Sequence, residues 1–262
     1  MARREDLEFE AAASLLLDLL RGFLGALASF GLLESLWSRE LLAAQGVALL
    51  GPWFRELAAR ARELRGQQMR DVEFQQRLAA LLGRVDLTAL AELVDFAAID
   101  RRLAAPASGR VVEAVDLRAL PGMPTSAELG RRLFACRQGR AIVPHGHNNM
   151  CTGFVVLRGR WRGRHYDRVA MDREHCLLRP TIDRGFAVGE CSTVSDHHDN
   201  VHWFVAETDS AYLFNVHVAG YDPEIRGAPG RFYVDPAGEV VPGDSLIRAP
   251  RMSSADCHAK YG

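Results

Sequence analysis

The sequence predicts an α+β fold in two parts, an all-α region over residues 1–105 and a mainly β barrel or sandwich over 106–262. Three observations predict it. Apolar residues recur at helical spacing from residue 5 to about residue 100. The stretch Arg101-Arg-Leu-Ala-Ala-Pro-Ala-Ser-Gly109 then breaks the composition and sets the boundary. Beyond it, β-branched and aromatic residues come in short runs separated by Gly, Pro, Asp and Asn, the pattern of many short strands.

In the first part, Leu7, Leu15, Leu16, Leu19, Leu20, Phe23 and Leu27 recur at helical spacing, and Gly31 with Ser35 offers a break. Residues 38–48 are rich in Leu and Ala. A further helix is expected from Gly51-Pro52, since proline suits a first turn. Val72–Leu82 and Leu87–Ile99 continue the pattern, with Asp86 as N-cap of the latter. The apolar stretch Ala11–Trp37 contains Asp18, Arg21 and Glu34, each costly at the centre of a bilayer. It reads as a buried helix pair and not as a membrane span or signal segment. Arg60, Arg62 and Arg65 are too few for a DNA-reading face. The expected roles of the helices are packing, a homodimer surface, or a cover over one mouth of the barrel.

In the second part, strands are expected at Arg110–Val115, Ala141–His147, Gly153–Leu157, Arg164–Met171, Cys176–Leu178, Asn200–Ala206, Ala211–Val218, Arg231–Val234 and Glu239–Val241. Residues 126–136 read as a helix capped by Ser126.

Composition narrows the function classes. A hydrophobic share of 48% and a charged share of 25% fit a globular domain. A net charge of −1 gives no global field toward nucleic acid or membrane, so neither is expected as a partner. Five cysteines (136, 151, 176, 191 and 257) lie scattered with no CxxC pair. That argues against a disulfide framework and for a reducing, cytoplasmic setting.

The chemistry concentrates in His145-Gly-His147-Asn-Asn-Met150-Cys151-Thr152 and in Asn200-Val201-His202. Two histidines one residue apart on a strand point the same way and can hold two corners of one metal ion. The run Phe154–Leu157 followed by Arg158-Gly159 reads as strand then hairpin, and the later histidine cluster is the natural source of a third ligand.

His145-x-His147 followed by Gly159 resembles the first motif of the cupins, and the detailed spacing is similar to the thiol dioxygenases: cysteine dioxygenase, cysteamine dioxygenase and the plant cysteine oxidases. His165-Tyr166-Asp167 falls where that group carries a Tyr-Asp pair. Asn200-Val201-His202, Asn215 and Tyr221-Asp222 keep the family's later spacing. The resemblance spans about residues 140–225 and implies a cupin-type barrel, a double-stranded β-helix or jelly roll. It implies His145, His147 and His202 as metal ligands, with His202 preferred to His197 or His198 because only it keeps the spacing to Asn215 and Tyr221. Tyr166, Asp167 and His217 would be catalytic; Met150, Thr152, Asn215 and Tyr221 would line the substrate pocket. His197 and His198 read as a solvated loop, and His165, His175 and His258 as surface residues.

Thr152 stands where archetypal cupins add a glutamate ligand, so three neutral imidazoles would leave a divalent ion its full charge. That suits Fe(II) with O2 as co-substrate and a small-molecule or peptide thiol as partner, giving a sulfinic acid. Zn(II), Mn(II) and Ni(II) also suit three histidines. Departures from the family are Thr152 and Ala219 at its Cys–Tyr crosslink positions and Asn215 where the amine-oxidising branch has an aspartate. Two other readings stay open: a metal cupin of another class (a non-oxidative isomerase or lyase, or a C–C-cleaving dioxygenase) and a ligand-sensing cupin.

Overall fold

A computed structural model describes residues 48–104, 110–114, 129–225 and 227–262. The readings of residues 1–47, and of Ser126 as a cap, lie outside the described residues. Helix α1 is described from residue 48 and ends at 65. Pro52 sits inside it, so the expected start at Gly51 is exceeded. Helices α2 (Asp71–Leu82), α3 (Leu87–Glu92) and α4 (Phe96–Leu103) follow. Asp86 caps α3 by accepting from the Ala89 amide at 2.9 Å. The single helix expected over Leu87–Ile99 is interrupted, because Asp95 caps a second helix through the Ala98 amide, also at 2.9 Å.

Twelve strands come next: β1 (Arg110–Ala114), β2 (Gly130–Cys136), β3 (Ala141–Asn148), β4 (Met150–Arg158), β5 (Trp161–Met171), β6 (His175–Phe186), β7 (Cys191–Val194), β8 (Val201–Ala206), β9 (Ala211–Ala219), β10 (Gly230–Val234), β11 (Glu239–Val240) and β12 (Ile247–Met252). Helix α5 (Ser254–Tyr261) closes the chain, capped by Ser253. The strands form a five-stranded sheet in the order β1-β2-β9-β4-β7 and a seven-stranded sheet in the order β10-β3-β8-β5-β6-β12-β11. All the pairings are antiparallel. The fold is α+β, with helices preceding a jelly-roll barrel.

Gly130–Cys136 is strand, not the expected helix. It lies between β1 and β9, with Phe134 and Cys136 facing one cluster and Leu133 and Ala135 another. Pairing with β9 along its whole length and with β1 over Arg132–Cys136 gives its backbone partners and overrides a helical propensity that is only a weak prior. Strands β7 and β12 and helix α5 were not expected either. The two strands are short, and sheet pairing rather than local pattern makes them regular; α5 is set by its Ser253 cap.

Both faces of the five-stranded sheet are apolar. Leu133, Val155, Phe214, Val216 and Val218 point outward and share one hydrophobic cluster with α1–α4. Phe54 meets Phe214 edge to face at 6.4 Å, and Trp53 Nε1 donates to the Leu81 carbonyl at 2.7 Å. Helix α2 buries Phe74, Leu78, Leu81 and Leu82, each worth roughly 1.5–3 kcal/mol. It can approach because Gly153 lacks a side chain: a Cβ there would lie 2.7 Å from Leu82 and 2.8 Å from Leu78. Helices α1–α4 therefore cover the outer face of the five-stranded sheet. The expected boundary near residue 105 falls outside the described residues, and the elements on its two sides share this core. Among the described residues, no helix is long and apolar enough to cross a membrane.

Candidate metal centre

Strand β3 lies between β10 and β8, so its inward side chains face the barrel interior from the middle of a sheet. Pro144 has no amide hydrogen, and the β3–β8 register shifts between Ile142 and His145, where an interior strand can accommodate it. Beyond the shift His145 pairs with His202. His147, two residues on, shares their face. The ring centroids of His145 and His202 are 4.3 Å apart, those of His147 and His202 4.9 Å, and those of His145 and His147 5.1 Å. One ring nitrogen from each lies within 4.8 Å of the others, and all three residues are buried.

The hydrogen bonds fix which nitrogen each ring offers. His145 Nδ1 donates to the Val143 carbonyl at 2.8 Å, and His202 Nδ1 to the Asn200 carbonyl at 3.4 Å. That leaves Nε2 of both as acceptors toward the shared centre. His145 Nε2, His202 Nε2 and both nitrogens of His147 are buried with no hydrogen-bond partner among the described residues. Burying such atoms unpaired costs roughly 1–3 kcal/mol each, so the group fits a cation that takes their lone pairs. Burial, reinforced by Arg231 and, for His147 and His202, by neighbouring histidines, holds all three imidazoles well below the ordinary histidine range. They are therefore neutral, as ligands must be.

Phe154 stands 5.3 Å from His202, and Phe154, Phe204, Phe134 and Trp161 fill the barrel below the histidines. Above them the inward positions become polar. Thr152 Oγ1 donates to the Val216 carbonyl at 3.0 Å and accepts from Asn215 Nδ2 at 2.5 Å. Asn215 Oδ1 lies 3.2 Å from His217 Nδ1. Burial and the charges of Arg132 and Arg231 push His217 down to about 4, so it too is neutral. Met150 precedes Thr152 on the same face and is half-buried. The barrel thus brings His145, His147, His202, Met150, Thr152, Asn215 and His217 to one interior.

Three expected site residues lie elsewhere. Tyr166 joins a cluster with Val201 and Phe232. Val201 precedes His202 on β8, so that cluster is on the opposite face of the sheet. Asp167 accepts from His198 Nδ1 at 2.9 Å and from the Asp199 amide at 2.8 Å, in a group apart from the triad. Tyr221 packs in the helix-side core and donates its hydroxyl to Asp196 at 2.9 Å. His197 and His198 are more than half and nearly half exposed, yet each is anchored, to Asp71 and Asp167 respectively. Cys151 is a buried packing residue of the helix-side core.

His165 is a correction. Expected at the surface, it is fully buried, pairs with His202 across β5 and β8, and bonds Ser192 Oγ at 3.0 Å. Its strand lies inside the sheet, and its parity turns it inward. Reading Gly130–Cys136 as helix concealed Arg132 as an inward residue, and Arg231 lies beyond the stretch covered by the family resemblance.

No protein-family model matches the chain, and no curated protein matches it. Solved structures similar to it include KdgF from Halomonas sp., at 16% identity and a TM-score of 0.32, covering 43% of this chain and 82% of that one. Procruciferin, an 11S globulin from Brassica napus, gives 10% identity and a TM-score of 0.36, with 51% of this chain and 29% of that one covered. A recombinant oxalate oxidase in complex with glycolate gives 16% identity and a TM-score of 0.34, over 49% and 57%. The matched region spans less than two thirds of the latter two.

Proposed function

We propose that the protein is a three-histidine, iron-dependent thiol dioxygenase that converts a thiol to a sulfinic acid. The observation that carries the reading is the ligand set: three buried, neutral imidazoles with unpaired ring nitrogens turned to one point and no carboxylate among them. Both oxygens of O2 enter the product, so R–SH and O2 balance R–SO2H with no further reductant. Held by His145, His147 and His202, a divalent iron supplies undiminished positive charge that favours the thiolate and a place for sulfur and dioxygen to meet.

The chain's own residues do the rest. Phe154 and Phe204 wall the histidines off from water on one side. The Thr152–Asn215–His217 chain sets His217 as donor to Asn215 through Nδ1, which leaves Nε2 a neutral acceptor lying over Gly130, where a Cβ would be 2.0 Å away.

Metal analysis of the purified protein, with oxygen uptake measured across a panel of thiols, tests this. The expected result is iron at one per chain and thiol-dependent uptake with sulfinate as product, both lost in His202→Ala. Another tightly held metal with no uptake from any thiol would overturn the reading in favour of a non-oxidative metal enzyme.

A further inference from the structure

The inward side chains change character along the barrel. On β4 they run Val156, Phe154, Thr152, Met150, and on β9 Leu213, Asn215, His217, from fully buried to half-buried. On β2 they run Cys136, Phe134, Arg132, ending exposed. One end of the barrel is thus sealed by aromatics and the other is open among the described residues, with the three histidines between.

Two arginines, Arg132 and Arg231, stand at strand positions toward the open end. Arg132 pairs with Asn215 and Arg231 with His147, and paired residues of antiparallel strands share a face; Arg110 pairs with Cys136, at the sealed end of β2. Arg231 reaches across from the other sheet, its guanidinium 6.0 Å from the centre of the Phe134 ring. Burial lowers the proton affinity of Arg231, the Tyr233 side chain that bonds it raises it, and the charges of Arg132 and Arg110 lower it further. Among the described residues no carboxylate forms an ion pair with any of the three. Like charges on facing strands, with no paired carboxylate among the described residues, focus a positive field between them. Guanidinium forks match carboxylates bidentately.

We propose that this open end selects a small dianionic substrate, a thiol bearing two carboxylates, with Arg132 and Arg231 each holding one. The inference rests on reading the triad as the metal site and the barrel interior as the substrate pocket. Arg231 approaches from the seven-stranded sheet beside His147 and Arg132 from the five-stranded sheet beside Asn215, so the two grip from opposite walls. The thiol of such a molecule then points down toward the histidines. Free amines and cationic thiols are disfavoured at this opening.

The test uses the full chain, metal-stripped, with binding read by calorimetry. Succinate is the thiol-free probe, propionate the single-carboxylate control and cysteamine the cationic one. Succinate should bind at least about tenfold tighter than propionate, with no detectable cysteamine binding. Arg132→Gln and Arg231→Gln should each weaken succinate about tenfold, and Arg231→Lys less, since it keeps charge without the fork. Arg160→Gln, a surface change beside Glu207, should leave binding unaltered. Raising salt should weaken succinate binding to the unmodified protein, which decides the matter even where a variant fails to fold. Equal affinity for succinate and propionate, or salt-independent binding, overturns the proposal. Succinate selectivity without oxygen uptake from 2-mercaptosuccinate would overturn the dioxygenase reading alone. Uptake with cysteamine and no preference for dianions would overturn this proposal alone.

Discussion

Asn200 Nδ2 donates to the carbonyl of His147 at 3.0 Å and so ties the loop before β8 to the strand that carries two of the three histidines. The same amide donates to the Ser195 carbonyl at 3.1 Å, and Arg168 adds a second donor to the His147 carbonyl at 3.3 Å. Asn200 is fully buried. The registry of His147 against His202 is held by this side chain as well as by the sheet.

Asn200→Ala is therefore expected to weaken metal binding about 10- to 100-fold and to cost about 1–3 kcal/mol of stability. Asn200→Asp should be worse than Ala, because a carboxylate cannot donate to the two carbonyls it would face. Chelator competition and denaturant unfolding measure both effects. Unchanged metal affinity in Asn200→Ala would remove the side chain from the positioning of the site.

The glycine between the two β3 histidines is set by packing. A Cβ at Gly146 would lie 2.1 Å from Phe232 and 2.7 Å from Asn200 Oδ1. Gly146→Ala should displace the strand between the ligands, costing about 1–3 kcal/mol and lowering metal affinity together. Phe232→Leu in the same chain should recover part of the loss, measurable by thermal unfolding with and without added metal.

Acid sensitivity follows from His165. Burial, with repulsion from Arg184 and His198, brings its pKa down to about 3. In the unfolded chain it titrates near 6.5, so below that pH the unfolded state takes up a proton that the native state refuses. Stability is complete above pH 6.5 and falls as the pH drops toward 3, by up to about 5 kcal/mol from this residue. His165→Gln, which keeps a partner for Ser192, should flatten the fall between pH 6 and pH 4 by one proton, about 1.4 kcal/mol per pH unit. An unchanged slope in metal-free protein would show that His165 is protonated in the native state.

Metal loading should raise the melting temperature and chelation should lower it. A ligand at 100 times its dissociation constant adds about 2.7 kcal/mol to a fold that alone binds it. In His147→Ala and His202→Ala the difference between loaded and chelated protein should shrink toward zero. A full metal-dependent shift in His202→Ala would point to a ligand outside the triad.

The sequence by itself determined the architecture and the centre of the site. Runs such as Phe154-Val155-Val156-Leu157 forecast strands because a β-branched, apolar run suits a sheet apolar on both faces. The period of two put His145 and His147 on one side, and the spacing onward from His202 made it the partner. Only the tertiary structure decided what surrounds them. Parity along β5 and β8 sends Tyr166 to the far face and turns His165 inward, beyond the reach of local pattern once a register shift intervenes at His165/Tyr166. Gly130–Cys136 became a strand because β1 and β9 lie on either side of it. That choice carries Arg132 to the opening, where Arg231 meets it from about a hundred residues further along the chain. Local residues set the period and the turn. Which side chains share one interior is decided by pairing between distant strands, since backbone groups buried in a sheet must find their partners there.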